Sequence, residues 1–296
     1  MSTIIIINNH YKEFPLVIAA NKDGGSKSSS SVQVLTTEPH LIIGAKETDN
    51  TTSIGVNKHS LFVATTSQGE FNPKLLSANL VVMDALKCKT VSELLEFVEE
   101  LNPAKYNKFN LVFGNSKFVY MAHSYLLHSM VIRELPHGVH VVTSNMKFTG
   151  EMPKIQHIHG KLDGVINIPW LDYYKRIKKI LASSEYGVRL RQRKDDSGRL
   201  YGSLTQSSSI LAFSDSGLAR YKFYDRTLIR SKKNIKEGDV VEPRYRDYVD
   251  MWRGADVGSE SGMSEEEKDD VEDDEMGPKE RILDVLRVGM KNYVLK

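Results

Sequence analysis

The side chain best placed to do chemistry in this 296-residue chain stands at its start. Ser2 precedes the run "TIIII", and a nucleophile at a chain's own N-terminus has a base at hand. The free α-amine, with an ordinary pKa of about 7.7–8.0, takes the proton that a serine hydroxyl does not give up unaided. Two conditions attach. Met1 must be removed, which a residue as small as Ser2 permits, and the amine must stay unacetylated. Other constellations promise less. His157-x-His159 would put two imidazoles on one face of a strand, but no third ligand stands nearby, so the segment reads as a solvated loop and no metal site is expected. No phosphate loop of the Gly-x-x-x-x-Gly-Lys type and no dinucleotide fingerprint occurs, and no cofactor is expected. "RLRQRKDD" (189–196) is basic but lacks interleaved aromatics, and it reads as a solvated hairpin end without a specific nucleic-acid partner.

The elements that must position Ser2 follow from the hydrophobic pattern. Residues 3–7 and 16–20 are apolar, β-branched runs separated by "NNHYKEFP", so they read as a hairpin whose strands are covered on both faces. "GGSKSSSS" (24–31) reads as a flexible loop. Strands are expected at 41–43, 53–56 and 61–65. Residues 77–101 carry two helices, with Leu80, Met83 and Leu86 at helical spacing and a capping box at Thr90 and Glu93. A second strand series covers 109–114, 117–123, 130–135 and 137–145. A helix spans 170–183, and a hairpin spans 208–226 with its turn at 215–217. Cys88 falls in a helical pattern and reads as core or partly buried. Strands, helices, strands, helix and strands in that order predict an α+β protein with sheets covered by helices.

Forty Lys and Arg against thirty-eight Asp and Glu give a formal charge of +2, but the charge is segregated. Residues 259–275, "SESGMSEEEKDDVEDDE", hold ten acidic residues and one lysine, a local −9, which leaves +11 on the rest. A block of like charge with few apolar residues cannot offset the entropy of ordering, so 258–277 is expected to be a disordered acidic linker able to cover the basic body. It separates a domain at 1–257 from an amphipathic helix at 278–296, where Ile282, Leu283, Leu286 and Met290 share a face. The lone cysteine excludes an internal disulfide and suits a reducing compartment. Residues 4–7 are too short an apolar run for a signal peptide, and no run approaches a membrane span, so a cytoplasmic protein without a transmembrane segment is expected.

Several segments together resemble the Transport and Golgi organisation protein 2 family, also called the NRDE family. "MSTIIIINN" and "FPLVIAANKDGG" match its opening strands and its Asn-Arg-Asp-Glu motif. "TTSIGVNKHSLFVATTS", "KFNLVFG", "VVTSN" and "TQSSSILAF" match later motifs in the same order, over about residues 2–225. The family is similar to N-terminal-nucleophile hydrolases. The resemblance therefore implies a four-layer αββα sandwich with the nucleophile at the tip of the first strand.

The resemblance also assigns roles, and several are altered. Ser2 stands where the family has cysteine, and asks more of its base. Asp23 is retained and would bind and orient the α-amine; Asn145 is retained and would donate to an oxyanion. Lys22 replaces the motif arginine and loses its planar fork, Gly24 replaces the glutamate, and Asn21 precedes them as a substrate-binding candidate. Thr66 falls where the family has asparagine. The late-strand arginine falls at Gln206, or at Leu204 in another register. Without the resemblance, Asp23 before Gly24-Gly25 is a strand-ending turn and Asn145 a turn residue. Three functions stay open. The first is a binding or handling protein for a small-molecule or amide ligand, haem included, with an eroded hydrolase site and a secretory-pathway protein partner. The second is an amide hydrolase with Ser2 as nucleophile. The third is a non-catalytic scaffold recruiting partners through its acidic run. For the first, the resemblance adds Golgi-associated or mitochondrial locations to the cytoplasmic one.

Overall fold

Strands that are apolar at nearly every position need cover on both faces, and the layering of this chain supplies it. The computed structural model describes residues 2–24, 31–47, 49–126, 129–144, 153–164, 168–191, 193–194, 200–215 and 217–226. Asn145, residues 25–30 of the expected Ser-rich loop, the acidic run and the helix expected at 278–296 lie outside these residues. In chain order come β1 (Thr3–Asn8), β2 (Leu16–Gly24), β3 (Ser31–Thr36), β4 (Ile42–Lys46), β5 (Thr52–Asn57) and β6 (Phe62–Ser67). Helices α1 (Ala78–Ala85) and α2 (Val91–Glu99) follow, then β7 (Phe109–Gly114), β8 (Val119–Leu126), β9 (Ser129–Glu134) and β10 (Gly138–Thr143). Helices α3 (Pro153–Leu162) and α4 (Trp170–Ala182) precede β11 (Arg193–Lys194), β12 (Leu200–Tyr201), β13 (Leu204–Ser214) and β14 (Gly217–Asp225).

Two antiparallel sheets face each other: β10-β1-β2-β13-β14 and β3-β4-β5-β6-β7-β8-β9. Because side chains alternate along a strand, β1 and β2 are divided between two cores. Ile4, Ile6 and Ile18 meet Phe62, Ala64 and Val112 between the sheets. Ile5, Ile7, Val17 and Ala19 meet Ile158, Tyr173, Ile177 and Leu181 of α3 and α4. On the far side Val63, Leu111 and Phe113 pack on Val81, Val82, Leu94 and Val98 of α1 and α2. The result is the αββα sandwich, with β1 inside its sheet between β10 and β2 and every residue of it buried. Each β1 isoleucine so enclosed contributes about 1.5–3 kcal/mol relative to exposure.

Local signals hold where they were specific. Thr90 Oγ1 accepts from the Glu93 amide at 3.2 Å while Glu93 Oε2 accepts from the Lys89 amide at 2.8 Å, so α2 is capped from both directions. The β13–β14 hairpin turns around Asp215.

Other expectations need correction. Strand β3, where no element was expected, begins at the end of the Ser-rich stretch and pairs with β4. The buried face of α1 is Ala78, Val81, Val82 and Ala85; of the three residues at helical spacing, Leu86 is buried just past the helix, Met83 is half-buried and Leu80 is 36% exposed. Cys88 is half-buried in the turn after α1, not within a helix. His157 and His159 lie on α3, where Pro153 opens the helix and Ile158 and Leu162 turn into the core. Positions two apart on a helix do not share a face, and each histidine meets its own acid: His157 meets Glu185 at 3.3 Å and His159 meets Asp163 at 3.8 Å. Arg189 is 7% exposed, not solvated, although the β11–β12 pair that follows it is a hairpin end.

Candidate functional site

The N-terminal end of β1 lies between the ends of β2 and β10, with Thr3 opposite Asn21 on one side and Thr143 on the other. Ser2 is therefore held by two neighbours at once. Its main-chain nitrogen donates to Ser144 Oγ at 2.7 Å, and its carbonyl accepts from the Ser144 amide at 3.2 Å. The Asp23 amide donates to Ser2 Oγ at 3.3 Å. With an acceptor position of the hydroxyl taken from β2, its proton is available to donate outward.

Outward is a small cleft at the end of the intersheet core, lined by Ser2, Ile4, Ala20, Asn21, Lys22, Ser53, Ile54, Ala64, Thr65, Ser207 and Ser209. Five hydroxyl-bearing residues line it among short apolar ones. Lys22 forms an ion pair with Glu47 at the end of β4, and Glu47 Oε2 also accepts from Asn79 of α1 at 2.9 Å. The Lys22 ammonium is thus neutralised by the protein itself.

Asp23 has the other orientation. Odd positions of β2 face the helices, and its carboxylate accepts from Thr205 Oγ1 at 2.5 Å. Burial raises its pKa, while the Thr205 bond, the positive chain terminus and Lys154 act to lower it. Lys154 comes from α3, is 6% exposed, and donates to Thr3 Oγ1 at 3.4 Å. Burial lowers its basicity and Asp23 raises it. A buried carboxylate and a buried ammonium thus share the helix-facing side of the sheet just behind Ser2, where Asp23 can orient an amine.

The remaining candidates divide. Asn21 borders the cleft, but its side chain is committed elsewhere: Nδ2 donates to Leu181 O at 2.9 Å and Val188 O at 2.8 Å, and Oδ1 accepts from Ser208 at 2.6 Å. Thr66 does not line the cleft; it is 1% exposed and accepts from Asn110 Nδ2 at 3.1 Å. The same amide donates to Thr143 O at 3.1 Å, so Asn110 ties the two sheets together beside the site. Gln206 sits at a bulge between Thr205 and Ser207, and its amide occupies the space that a Cβ at Gly24 would need, at 2.5 Å. Gly24 and Gln206, two departures from the family motifs, are thus one packing arrangement.

Lys154, Thr205, Ser144, Glu47 and Asn110 were not singled out from the sequence. Asn110, Ser144 and Thr205 stand inside the segments "KFNLVFG", "VVTSN" and "TQSSSILAF" and were open to notice. Lys154 and Glu47 carry no local signal.

Among the described residues no helix is long and apolar enough to cross a membrane, and no group of three His, Cys, Asp or Glu is placed to hold a metal ion.

Several solved structures are similar to this chain. A mutant of conjugated bile acid hydrolase from Clostridium perfringens is 11% identical, with a TM-score of 0.45, covering 76% of this chain and 89% of that one. The N-acylethanolamine-hydrolyzing acid amidase ortholog of Caenorhabditis elegans is 12% identical, with a TM-score of 0.49, covering 71% and 92%. Penicillin V acylase from Agrobacterium tumefaciens is 12% identical, with a TM-score of 0.44, covering 77% and 86%. Comparison with curated protein sequences found no match. The sequence profile of Transport and Golgi organisation 2 matches residues 1–230, which contain every element described above, and the chain belongs to that family.

Proposed function

We propose that this protein binds or handles a small, neutral, carbonyl-bearing ligand such as an amide, in a site of N-terminal-nucleophile type that is eroded as a catalyst. The Lys22–Glu47 ion pair carries the reading. A cation that is to clamp a substrate carboxylate must be free to meet it, and this one is already matched by a half-buried acid. What the cleft offers instead is hydroxyl donors, Ser2 foremost, against short apolar walls, a lining suited to an uncharged polar group. Haem does not fit this lining, which has no His, Cys, Met or Tyr among its described residues to serve as an axial ligand. The cellular setting proposed is the Golgi or secretory-pathway role expressed in the family's name, with a protein partner there.

A second reading, amide hydrolysis by Ser2, draws on the Asp23 and Lys154 pair behind it. In that mechanism the α-amine of a processed Ser2 takes the hydroxyl proton, Ser2 Oγ attacks the amide carbon, the C–N bond breaks as the amine returns the proton to the leaving nitrogen, and water then cleaves the acyl ester from Ser2 to release the acid. Asp23 orients the amine. Intact-mass measurement of the native N-terminus, combined with incubation on acyl amides, separates the two. The binding reading expects a retained Met1 or an acetylated Ser2, with amides bound and recovered uncleaved. A free Ser2 with hydrolysis abolished in Ser2→Ala would overturn it in favour of the hydrolase.

A further inference from the structure

The two outer layers of the sandwich carry opposite charge. Helix α2, over the seven-stranded sheet, exposes Glu93, Glu96 and Glu99 and has no basic residue. Helix α4, over the five-stranded sheet, has Lys175, Arg176, Lys178 and Lys179 against a single acid, Asp172. Residues four apart on a helix share a face, so Leu171, Lys175 and Lys179 form one exposed line, with Asp172 and Arg176 in the line beside it. Lys178 turns away from this stripe, its Nζ over the Tyr224 ring at 5.5 Å. Arg176 Nη1 donates to the Lys161 carbonyl at 3.0 Å, which brings Lys161, exposed at the end of α3, beside the stripe. The acid next to Lys161 is Asp163, which His159 meets at 3.8 Å.

Two large side chains with apolar bodies stand at the ends of the stripe. Leu171 is 51% exposed at the start of α4, and Tyr186 is 61% exposed in the 3-10 turn after it. Tyr186 has a φ of 50°, a left-handed conformation that a bulky residue adopts only under strain, and yet its side chain stays largely in solvent. Like charges four apart on a helix repel each other, and a plane of negative charge relieves that repulsion.

We propose that the outer face of α4, from Leu171 to Tyr186, docks on an anionic lipid surface. Lys175, Arg176 and Lys179 meet the headgroups, and Leu171 and Tyr186 reach the boundary with the acyl chains. A nucleic acid fits this face less well, because Trp170, Tyr173 and Tyr174 of α4 are buried in the core and offer bases no stacking platform. The acidic α2 layer lies on the far side of the molecule and is repelled by the same surface, so the charge distribution orients the chain as well as attracting it. The docked face is the outer side of the helix layer, whereas the cleft opens between the sheets. The proposal therefore does not depend on the reading of Ser2.

The test is flotation of the full chain with phosphatidylcholine vesicles made with and without phosphatidylserine. The wild type is expected to float with the anionic vesicles at about 0.1 M salt, not with the neutral ones, and to be released at about 1 M as screening shortens the reach of the charges. Each cation near such a surface contributes about fivefold to partitioning, so Lys175→Gln combined with Lys179→Gln is expected to weaken binding about thirtyfold. Asp172→Asn removes the one acid of the helix and is expected to strengthen binding several-fold, a gain in the opposite direction. All three positions are exposed, and both variants are expected to melt close to the wild type. No flotation with anionic vesicles, equal flotation with neutral ones, or a double variant that binds as the wild type does overturns the proposal. Capture of a single-stranded RNA oligonucleotide in place of the vesicles overturns it too, and reassigns the face to nucleic acid.

Discussion

Asn21 provides a direct test of whether a residue bordering the cleft serves the ligand or the fold. Its amide is 1% exposed and makes three hydrogen bonds: two to the carbonyls of Leu181 and Val188, which end α4 and the turn beyond it, and one from Ser208 of the neighbouring strand. Asn21→Ala leaves two carbonyls and a hydroxyl buried without this partner. At about 1 kcal/mol for each bond, the loss is about 3 kcal/mol, and more if water cannot enter. For a domain of this size each kcal/mol moves the midpoint by roughly 2–4 °C, so a fall of about 6–12 °C is expected in thermal unfolding followed by circular dichroism. Asn21→Asp is expected to be worse, because it sets a carboxylate oxygen against two carbonyls where donors stood. A fall of less than about 2 °C in Asn21→Ala, or an Asp variant as stable as wild type, would refute the clamp and return Asn21 to the ligand.

Two further outcomes are expected. Burial raises the Asp23 pKa above its usual 3.8, so the folded protein holds that proton to higher pH than the unfolded chain. Its stabilising contribution is complete below 3.8 and is lost as pH rises through the folded value. Asp23→Asn should therefore match the wild type near pH 3–4 and become the more stable protein toward pH 7; melting curves across that range check the sign, and a wild type that gains on the variant as pH rises contradicts it. Deletion of 259–275, proposed to lie outside the fold, is expected to leave the melting temperature unchanged. It should also strengthen binding of anionic vesicles at low salt, an effect that fades as the Debye length shrinks from about 10 Å at 0.1 M to about 3 Å at 1 M. Unfolding of the deleted form, or no gain at low salt, counts against that role.

The sequence by itself determined the features that are encoded within a few residues. Short apolar, β-branched runs located β1, β2, β6, β7 and the β13–β14 hairpin. Thr90 and Glu93 located the start of α2, and the ordered family motifs placed Ser2 and Asp23 at neighbouring strand ends. Local coding also misled where two patterns competed. In α3, His157 and His159 drew attention over the spacing of Ile155, Ile158 and Leu162 that makes it a helix.

Only the tertiary structure decided which polar side chains serve the site. Ser144 is 142 residues from Ser2, Lys154 is 151 from Thr3, and Thr205 is 182 from Asp23, yet each pair is hydrogen-bonded. Nothing in the residues flanking Lys154 marks it as the counter-charge of a buried carboxylate, and nothing beside Glu47 marks it as the acid that neutralises Lys22. Burial and long-range pairing create those roles: an ionisable group acquires its function from the solvent it has lost and the charge brought near it, and both are properties of the assembled sheets rather than of any segment.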